Sequence, residues 1–167
     1  MRNEKIELQI AGIGIILYSP ASASHISEGE NYLESSYMTD DQVQRHIQSG
    51  SVVGFGTGSP GTFTIFIRDG YPPDDVFAEN EFKLRLGVHV KGGILCFRDL
   101  FDLIDWTVEC PPRQRAAFAD GDYHITLCSR RPASGIVGDQ QVILAYFNRL
   151  PAFPKLRNEG IPTLCTD

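Results

Sequence analysis

The stretch Glu81-Phe-Lys-Leu-Arg-Leu-Gly-Val-His-Val-Lys91 decides the class of fold. Every second residue in it is apolar, and the residues between them are lysine, arginine, glycine or histidine. Because successive side chains of a strand point to opposite faces of a sheet, this period of two predicts a strand with one buried and one solvated face. Such strands are typical of antiparallel sheets, since parallel sheets are covered on both faces.

The same alternation recurs on both sides of this stretch, and turn-forming glycines and prolines separate the repeats. Parallel strands need crossovers of about a dozen residues or more, and the segments between the repeats are too short for them. The sequence therefore predicts an all-β protein, an antiparallel two-sheet β-sandwich of about eight strands with one short helix. Besides Glu81–Lys91, the predicted strands are Ile6–Tyr18, Ser51–Gly56, Thr62–Arg68, Gly93–Arg98, Ile104–Cys110, Asp122–Arg130 and Gln140–Phe147.

The one predicted helix spans Thr39–Gln48. Thr39 is a suitable N-cap, and Gly50 is a suitable terminator. Asp40 and Asp41 place negative charge beside the positive end of the helix dipole. These signals lie at both ends of the segment, so we expect the helix to begin and end close to them.

The chain is predicted to divide into two unequal parts. Residues 1–147 form the β-sandwich domain, in which residues 19–37 are a long polar surface loop. Residues 148–167 contain three prolines and little alternation, so they are predicted to form an irregular tail. Such a tail either lies on the body of the sandwich or frays from it.

The composition is that of an ordinary globular chain with an excess of acidic residues. The 167 residues include 21 Asp and Glu against 15 Lys and Arg, for a net charge of -6. Proteins that bind nucleic acid neutralise phosphates with clustered lysine and arginine, and the sequence has no such cluster. Direct binding to nucleic acid is therefore disfavoured, while an acidic surface suits a basic protein partner.

The compartment is predicted from the apolar segments and the cysteines. The sequence has no run of about 20 apolar residues that could cross a membrane, and its first residues lack the apolar core of a signal peptide. The four cysteines, Cys96, Cys110, Cys128 and Cys165, are widely separated and form no Cys-x-x-Cys pair. We expect a cytoplasmic protein with reduced thiols and no membrane partner, although one or two disulfides also fit an even cysteine count.

No motif predicts a catalytic centre, a cofactor or a metal site. The glycine-rich segment Gly54–Gly61 lacks the helix and the lysine of a phosphate-binding loop, so we interpret it as a hairpin turn. His124 and Cys128 share one face of a predicted strand but lie about 13 Å apart, too far for a nucleophile and its base. The acidic residues around Tyr71-Pro-Pro73 would serve glycoside hydrolysis or calcium binding only if they converged in space.

A recognisable order of segments runs through most of the chain. Its members are the strand Ile6–Tyr18, a helix ending at Gly50, Ser51-Val-Val-Gly-Phe55, the strand Thr62–Arg68, Pro72-Pro73, Val88-His-Val-Lys-Gly-Gly-Ile94 and Gly121-Asp-Tyr-His-Ile125. Over about residues 6–147 this order resembles the competence-protein J family, the inhibitors of a DNA-entry nuclease. The Pro-x-x-x-Trp element of that family is not evident, since the one tryptophan is Trp106. The resemblance implies a small β-sandwich that binds and silences a nuclease or toxin, as an immunity protein does.

These observations lead to one preferred hypothesis and two others. The preferred one is a non-enzymatic protein-binding β-sandwich, an inhibitor or immunity protein of a basic nuclease or toxin, which an acidic protein would reach faster through electrostatic steering. The others are a carbohydrate- or small-ligand-binding module, with or without hydrolytic activity, and a structural subunit of an assembly. The predicted partner-binding residues share one acidic segment: Asp69, Tyr71, Asp74, Asp75, Phe77 and Glu79.

Overall fold

The computed structural model describes residues 4–156 and 161–165. Its strands are β1 (Glu4–Ile10), β2 (Gly14–Tyr18), β3 (Val52–Gly56), β4 (Gly61–Asp69), β5 (Phe82–Val90), β6 (Ile94–Asp99), β7 (Arg115–Ala117), β8 (Gly121–Ser129) and β9 (Gln141–Leu150). Its α-helices are α1 (Tyr32–Ser36), α2 (Asp40–Ser49) and α3 (Asp74–Glu79). Short 3-10 helices occupy Pro20–Ala23, Leu100–Leu103 and Pro112–Gln114.

The strands form two sheets, which confirms the predicted all-β sandwich. Sheet A has the strand order β1-β4-β9-β8-β5, and sheet B has the order β3-β2-β6-β7. One pairing departs from the antiparallel prediction, since β4 and β9 run parallel with Ile65 opposite Ile143. The chain between these two strands contains α3 and four further strands, so it is long enough for the crossover that a parallel pair requires.

The predicted strand Ile6–Tyr18 is instead two strands, β1 in sheet A and β2 in sheet B. The chain turns between them at Ala11 and Gly12, whose backbone N–H groups donate to the Asp99 carboxylate at 2.8 and 3.2 Å. A Cβ at Gly12 would lie 2.6 Å from the other Asp99 carboxylate oxygen, so glycine is required at this close approach. The break between β1 and β2 therefore depends on Asp99, which is distant in sequence.

The predicted strand Ile104–Cys110 is wrong, because this segment has no regular secondary structure. Trp106 is buried, with its ring centre 4.7 Å from the Arg98 guanidinium. Arg98 also donates to the Thr107 backbone carbonyl at 2.7 Å. In a strand, this carbonyl would instead accept a hydrogen bond from the backbone of a neighbouring strand. Val108, which the alternation placed on the buried face, is 56% exposed.

The predicted helix is confirmed as α2. The Thr39 hydroxyl accepts the Gln42 backbone N–H, and the Gln42 side chain accepts the Thr39 N–H, so both halves of a capping box are present. Gly50 ends the helix in the left-handed conformation with φ at 66°.

The sequence does not predict α1 and α3, since helices of five or six residues are too short to show an apolar period. Within the described ranges, no helix is long and apolar enough to cross a membrane.

Two apolar clusters lie on opposite faces of sheet B. The first fills the space between the sheets and includes Ile15 and Leu17 of β2. The second contains Ile16 and Tyr18 of β2 together with buried residues of α1, α2 and the segment 100–110. Sheet B is thus covered on both faces, whereas the outer face of sheet A is covered only in part.

The described residues after β9 contact the sandwich at several places. The Phe153 ring lies beside Gly50 and Gly87, where a Cβ added to either glycine would come within 2.9 Å of it. Thr163 forms a parallel bridge with Gly56 at the end of β3. Leu164, which follows, is 1% exposed and belongs to the cluster between the sheets.

We expect Leu164→Ala to lower the free energy of unfolding by about 2–5 kcal/mol, because it removes a buried leucine from the cluster between the sheets. Lys155→Ala is the matched control, since Lys155 is exposed in the same segment and its truncation should change stability by less than about 0.5 kcal/mol. Urea denaturation followed by circular dichroism measures both variants. Equal stability of the two would contradict a role for Leu164 in the core.

Candidate functional site

The predicted partner-binding residues lie on and beside α3. Asp69 ends β4, Tyr71 follows in the turn that leaves this strand, and α3 carries the other four. The Pro73 carbonyl accepts the Phe77 N–H at 3.0 Å, which starts the helix directly after the two prolines. We call the six residues the α3 surface: Asp69, Tyr71, Asp74, Asp75, Phe77 and Glu79.

The α3 surface presents its carboxylates to solvent and keeps its aromatic rings closer to the protein. All four acidic residues are exposed, Tyr71 is 47% exposed, and Phe77 is half-buried. Asp74 and Asp75 lie in the first turn of α3, where negative charge interacts favourably with the helix dipole. The carboxylates therefore form the outer layer of this surface.

Two basic side chains of β5 contact the aromatic rings. Lys83 Nζ lies 4.6 Å from the centre of the Phe77 ring. The Arg85 guanidinium lies 5.8 Å from the centre of Phe77 and 6.0 Å from that of Tyr71. Contacts of this kind at exposed sites contribute about 0.5–1 kcal/mol each. The polar face of β5 thus holds α3 against sheet A, and positive charge lies next to the carboxylates.

His124 of β8 fixes the Tyr71 side chain. The Tyr71 hydroxyl lies 3.0 Å from His124 Nδ1, and the two rings meet edge to face with centres 5.6 Å apart. Burial, helped by the positive charge of Arg85, lowers the pKa of His124 below the usual 6.5, so the imidazole is neutral at pH 7. This hydrogen bond and the edge-to-face contact hold the Tyr71 ring against His124.

A groove runs between α3 and the loop that connects β8 to β9. Its volume is about 770 Å³, and Val142 and Leu144 of β9 line it. Glu79 and Asn80 border it on the α3 side, and Arg130 borders it on the loop side. No local sequence pattern predicts this groove, because its walls are distant in sequence.

A second polar cluster joins the segment 19–37 to α2. The Tyr32 hydroxyl lies 3.0 Å from His25 Nε2 and 2.6 Å from His46 Nε2. His46 Nδ1 donates to the Gln42 carbonyl at 2.7 Å, so neutral His46 accepts the Tyr32 proton at Nε2, and His25 donates to the Tyr32 oxygen. Among residues 4–156 and 161–165, no three His, Cys, Asp or Glu side chains converge to hold a metal ion.

We expect the free energy of unfolding to decrease as the pH falls through about 6.5, the usual pKa of histidine. Burial lowers the pKa of His46 in the folded protein, so the unfolded chain takes up a proton at a higher pH than the folded chain does. The decrease should end below the folded-state pKa. Urea denaturation at a series of pH values measures it, and it should be smaller in His46→Gln. The same pH dependence in both proteins would contradict this account.

We expect Tyr71→Ala to raise the pKa of His124 towards 6.5, because burial is the main cause of the lowered pKa and the substitution uncovers the imidazole. Tyr71→Phe is the matched control, since it keeps the ring and removes only the hydroxyl, so the pKa should rise less. Titration of the His124 Cε1 proton by NMR measures both. An unchanged pKa in Tyr71→Ala would show that Tyr71 does not cover His124 in solution.

No family model and no curated protein sequence matches this chain. Two solved structures are similar to it. One is described as "Crocagin biosynthetic gene J", with 13% sequence identity and a TM-score of 0.54, over 87% of this chain and 98% of the other. Another is ComJ from Bacillus subtilis, described as an inhibitor of the DNA-degrading activity of NucA, with 11% identity and a TM-score of 0.49, over 89% of this chain and 98% of the other. The resemblance is one of fold.

Proposed function

We propose that this chain is a non-enzymatic protein-binding β-sandwich, an inhibitor or immunity protein of a basic nuclease or toxin, and that the α3 surface is its binding site. The observation that carries the proposal is the layering of this surface, with exposed carboxylates outside and aromatic rings held by Lys83 and Arg85 behind them. The resemblance of the sequence to the competence-protein J family supports a nuclease as the partner.

The carboxylates of the α3 surface would attract a basic partner. A nuclease has to bind phosphate, and its cleft is therefore positively charged. Complementary charge raises the rate of encounter, and this effect weakens as the ionic strength rises. Lys83 and Arg85 reduce the local negative potential, so we expect steering to draw on the overall charge of -6 as well as on the four carboxylates.

Tyr71 and Phe77 would supply the apolar contacts. Tyrosine is enriched among the residues that dominate binding energy at protein interfaces. The Tyr71 ring is about half exposed, and its hydroxyl is bonded to His124, so it loses little conformational freedom when a partner covers it. We therefore assign the association rate chiefly to the carboxylates and the lifetime of the complex chiefly to Tyr71.

Reversing two charges tests the α3 surface. Asp69→Lys/Glu79→Lys avoids the first turn of α3, so the charge reversals do not oppose the dipole at the start of the helix. We expect the association rate constant with a basic nuclease or toxin to fall about tenfold at low salt, and the difference from the unmodified protein to shrink at high salt. Stopped-flow mixing with candidate nucleases at two salt concentrations gives these rates.

The matched control is Asp105→Lys/Glu109→Lys. It changes the net charge by the same amount. Its two exposed acidic residues lie in the segment that covers the face of sheet B pointing away from sheet A, far from α3 in the fold. This control should associate faster than the α3-surface variant. Tyr71→Ala should mainly speed dissociation. Equal slowing by the two double variants would contradict the α3 surface as the binding site and leave net charge as the cause.

A second candidate function is the binding of a carbohydrate or another small ligand, which the groove beside α3 favours. Ligand sites commonly occupy about 300–1,000 Å³ and combine an apolar lining with a few polar groups. Val142→Arg would fill the groove from its apolar side and leave the carboxylates of the α3 surface in place. Ligand-induced NMR shifts at groove residues that disappear in Val142→Arg, with unchanged nuclease association, would favour this second function.

A further inference from the structure

Two cysteines come together in the apolar cluster on the outer face of sheet B. Cys96 lies on β6, and Cys110 lies in the irregular segment before the 3-10 helix Pro112–Gln114. Cys96 lies opposite Arg115 in the pairing of β6 with β7. The Cys110 thiol donates at 3.7 Å to the carbonyls of Pro111 and of Gln114, the residue before Arg115, so the two thiols are neighbours in this cluster. Both are free thiols. The sequence alone does not reveal this pair, because it has no Cys-x-x-Cys spacing and the segment that carries Cys110 folds back onto β6.

Cys110 is the member of the pair that borders the surface. It lines a hollow of about 680 Å³, together with Thr107, Pro112 and Arg115. Cys96 is fully buried, whereas Cys110 retains a small exposed fraction. A small oxidant that enters the hollow from solvent therefore meets Cys110 first and Cys96 behind it.

The surroundings of the two thiols also separate their reactivities. The interaction with the Cys96 thiol and the positive charges of Arg98 and Arg115 lower the pKa of Cys110, against the opposing effect of burial. The interaction with the Cys110 thiol and burial raise the pKa of Cys96. Because the thiolate is the nucleophile towards a peroxide, Cys110 is the more reactive thiol and Cys96 keeps its proton.

We propose that Cys110 and Cys96 form a peroxide-reactive pair, in which a hydroperoxide oxidises Cys110 and Cys96 then closes an intramolecular disulfide. In the first step the Cys110 thiolate attacks one peroxide oxygen, the O–O bond breaks, and hydroxide leaves a sulfenic acid on Cys110. In the second step the Cys96 sulfur attacks the Cys110 sulfur, the S–O bond breaks, and hydroxide leaves with the Cys96 proton as water. Two thiols are oxidised, and hydrogen peroxide is reduced to two molecules of water.

The segment that carries Cys110 can supply the movement that this disulfide needs. The two sulfur atoms must approach to about 2.05 Å for the bond to form. Cys96 is held in sheet B opposite Tyr18 on one side and Arg115 on the other. Cys110 belongs to no strand or helix, so its backbone can shift without breaking the hydrogen bonds of a sheet ladder.

The pair is tested by treating the whole chain with hydrogen peroxide near neutral pH and counting free thiols after denaturation. We expect two of the four thiols to be lost, a mass lower by about 2 Da, and a cross-linked peptide that joins Cys96 to Cys110. This measurement uses the unmodified protein, so it does not depend on the folding of any variant. Four remaining thiols, or a disulfide between other cysteines, would overturn the proposal.

Three variants assign the roles within the pair. Cys96→Ala should leave a sulfenic acid on Cys110 that a dimedone reagent traps, and Cys110→Ala should lose both the trapped product and the disulfide. Cys165→Ala is the matched control and should still form the disulfide, since Cys165 is more exposed than Cys110 but its pKa is raised by burial. First oxidation at Cys165, or trapping that persists in Cys110→Ala, would overturn the assignment of Cys110 as the reactive thiol.

Discussion

The burial of both faces of strand β2 is the constraint on which the rest of the structure depends. Every residue of this strand is buried. Ile15 and Leu17 are covered by sheet A, while Ile16 and Tyr18 are covered by helices and by the irregular segment after β6. Burying side chains of this size contributes about 1.5–3 kcal/mol each, so both covers are needed. The outer face of sheet A is covered only in part, and the α3 surface lies there.

The cover on the second face of sheet B contains a charged residue whose bonds organise it. Arg98 is 4% exposed, and its guanidinium donates to the Asp102 carboxylate, the Tyr18 hydroxyl and the Thr107 backbone. A buried charge with this many partners is costly to disturb, because each partner would lose its bond. The same guanidinium packs on Trp106 and adds positive charge beside Cys110. Arg98 thus both fixes the path of residues 104–110 and helps to lower the pKa of Cys110.

The sequence predicts those features that neighbouring residues determine. The alternation of Glu81–Lys91 gave β5, and the cap signals at Thr39 and Gly50 gave α2 within a residue or two. The acidic segment before β5 also stood out, because its charges are close in sequence. The break between β1 and β2 depends on Asp99, and the path of residues 104–110 depends on Arg98. The pairing of β8 with β5 and β9 likewise places His124 beside Tyr71 and the β8–β9 loop beside the groove. Local sequence periodicity does not predict which strands pair.

The parallel pairing of β4 with β9 shapes the folding pathway. Phe63 is paired with Gln141, nearly 80 residues later, and the other neighbour of β4 is β1, about 60 residues earlier. No hairpin can therefore organise β4 early, and folding through such distant contacts is slow. Until both neighbours arrive, β4 is an apolar strand with two open edges, which is the kind of template that promotes aggregation. The net charge of -6 then acts during folding, because it keeps incompletely folded chains apart.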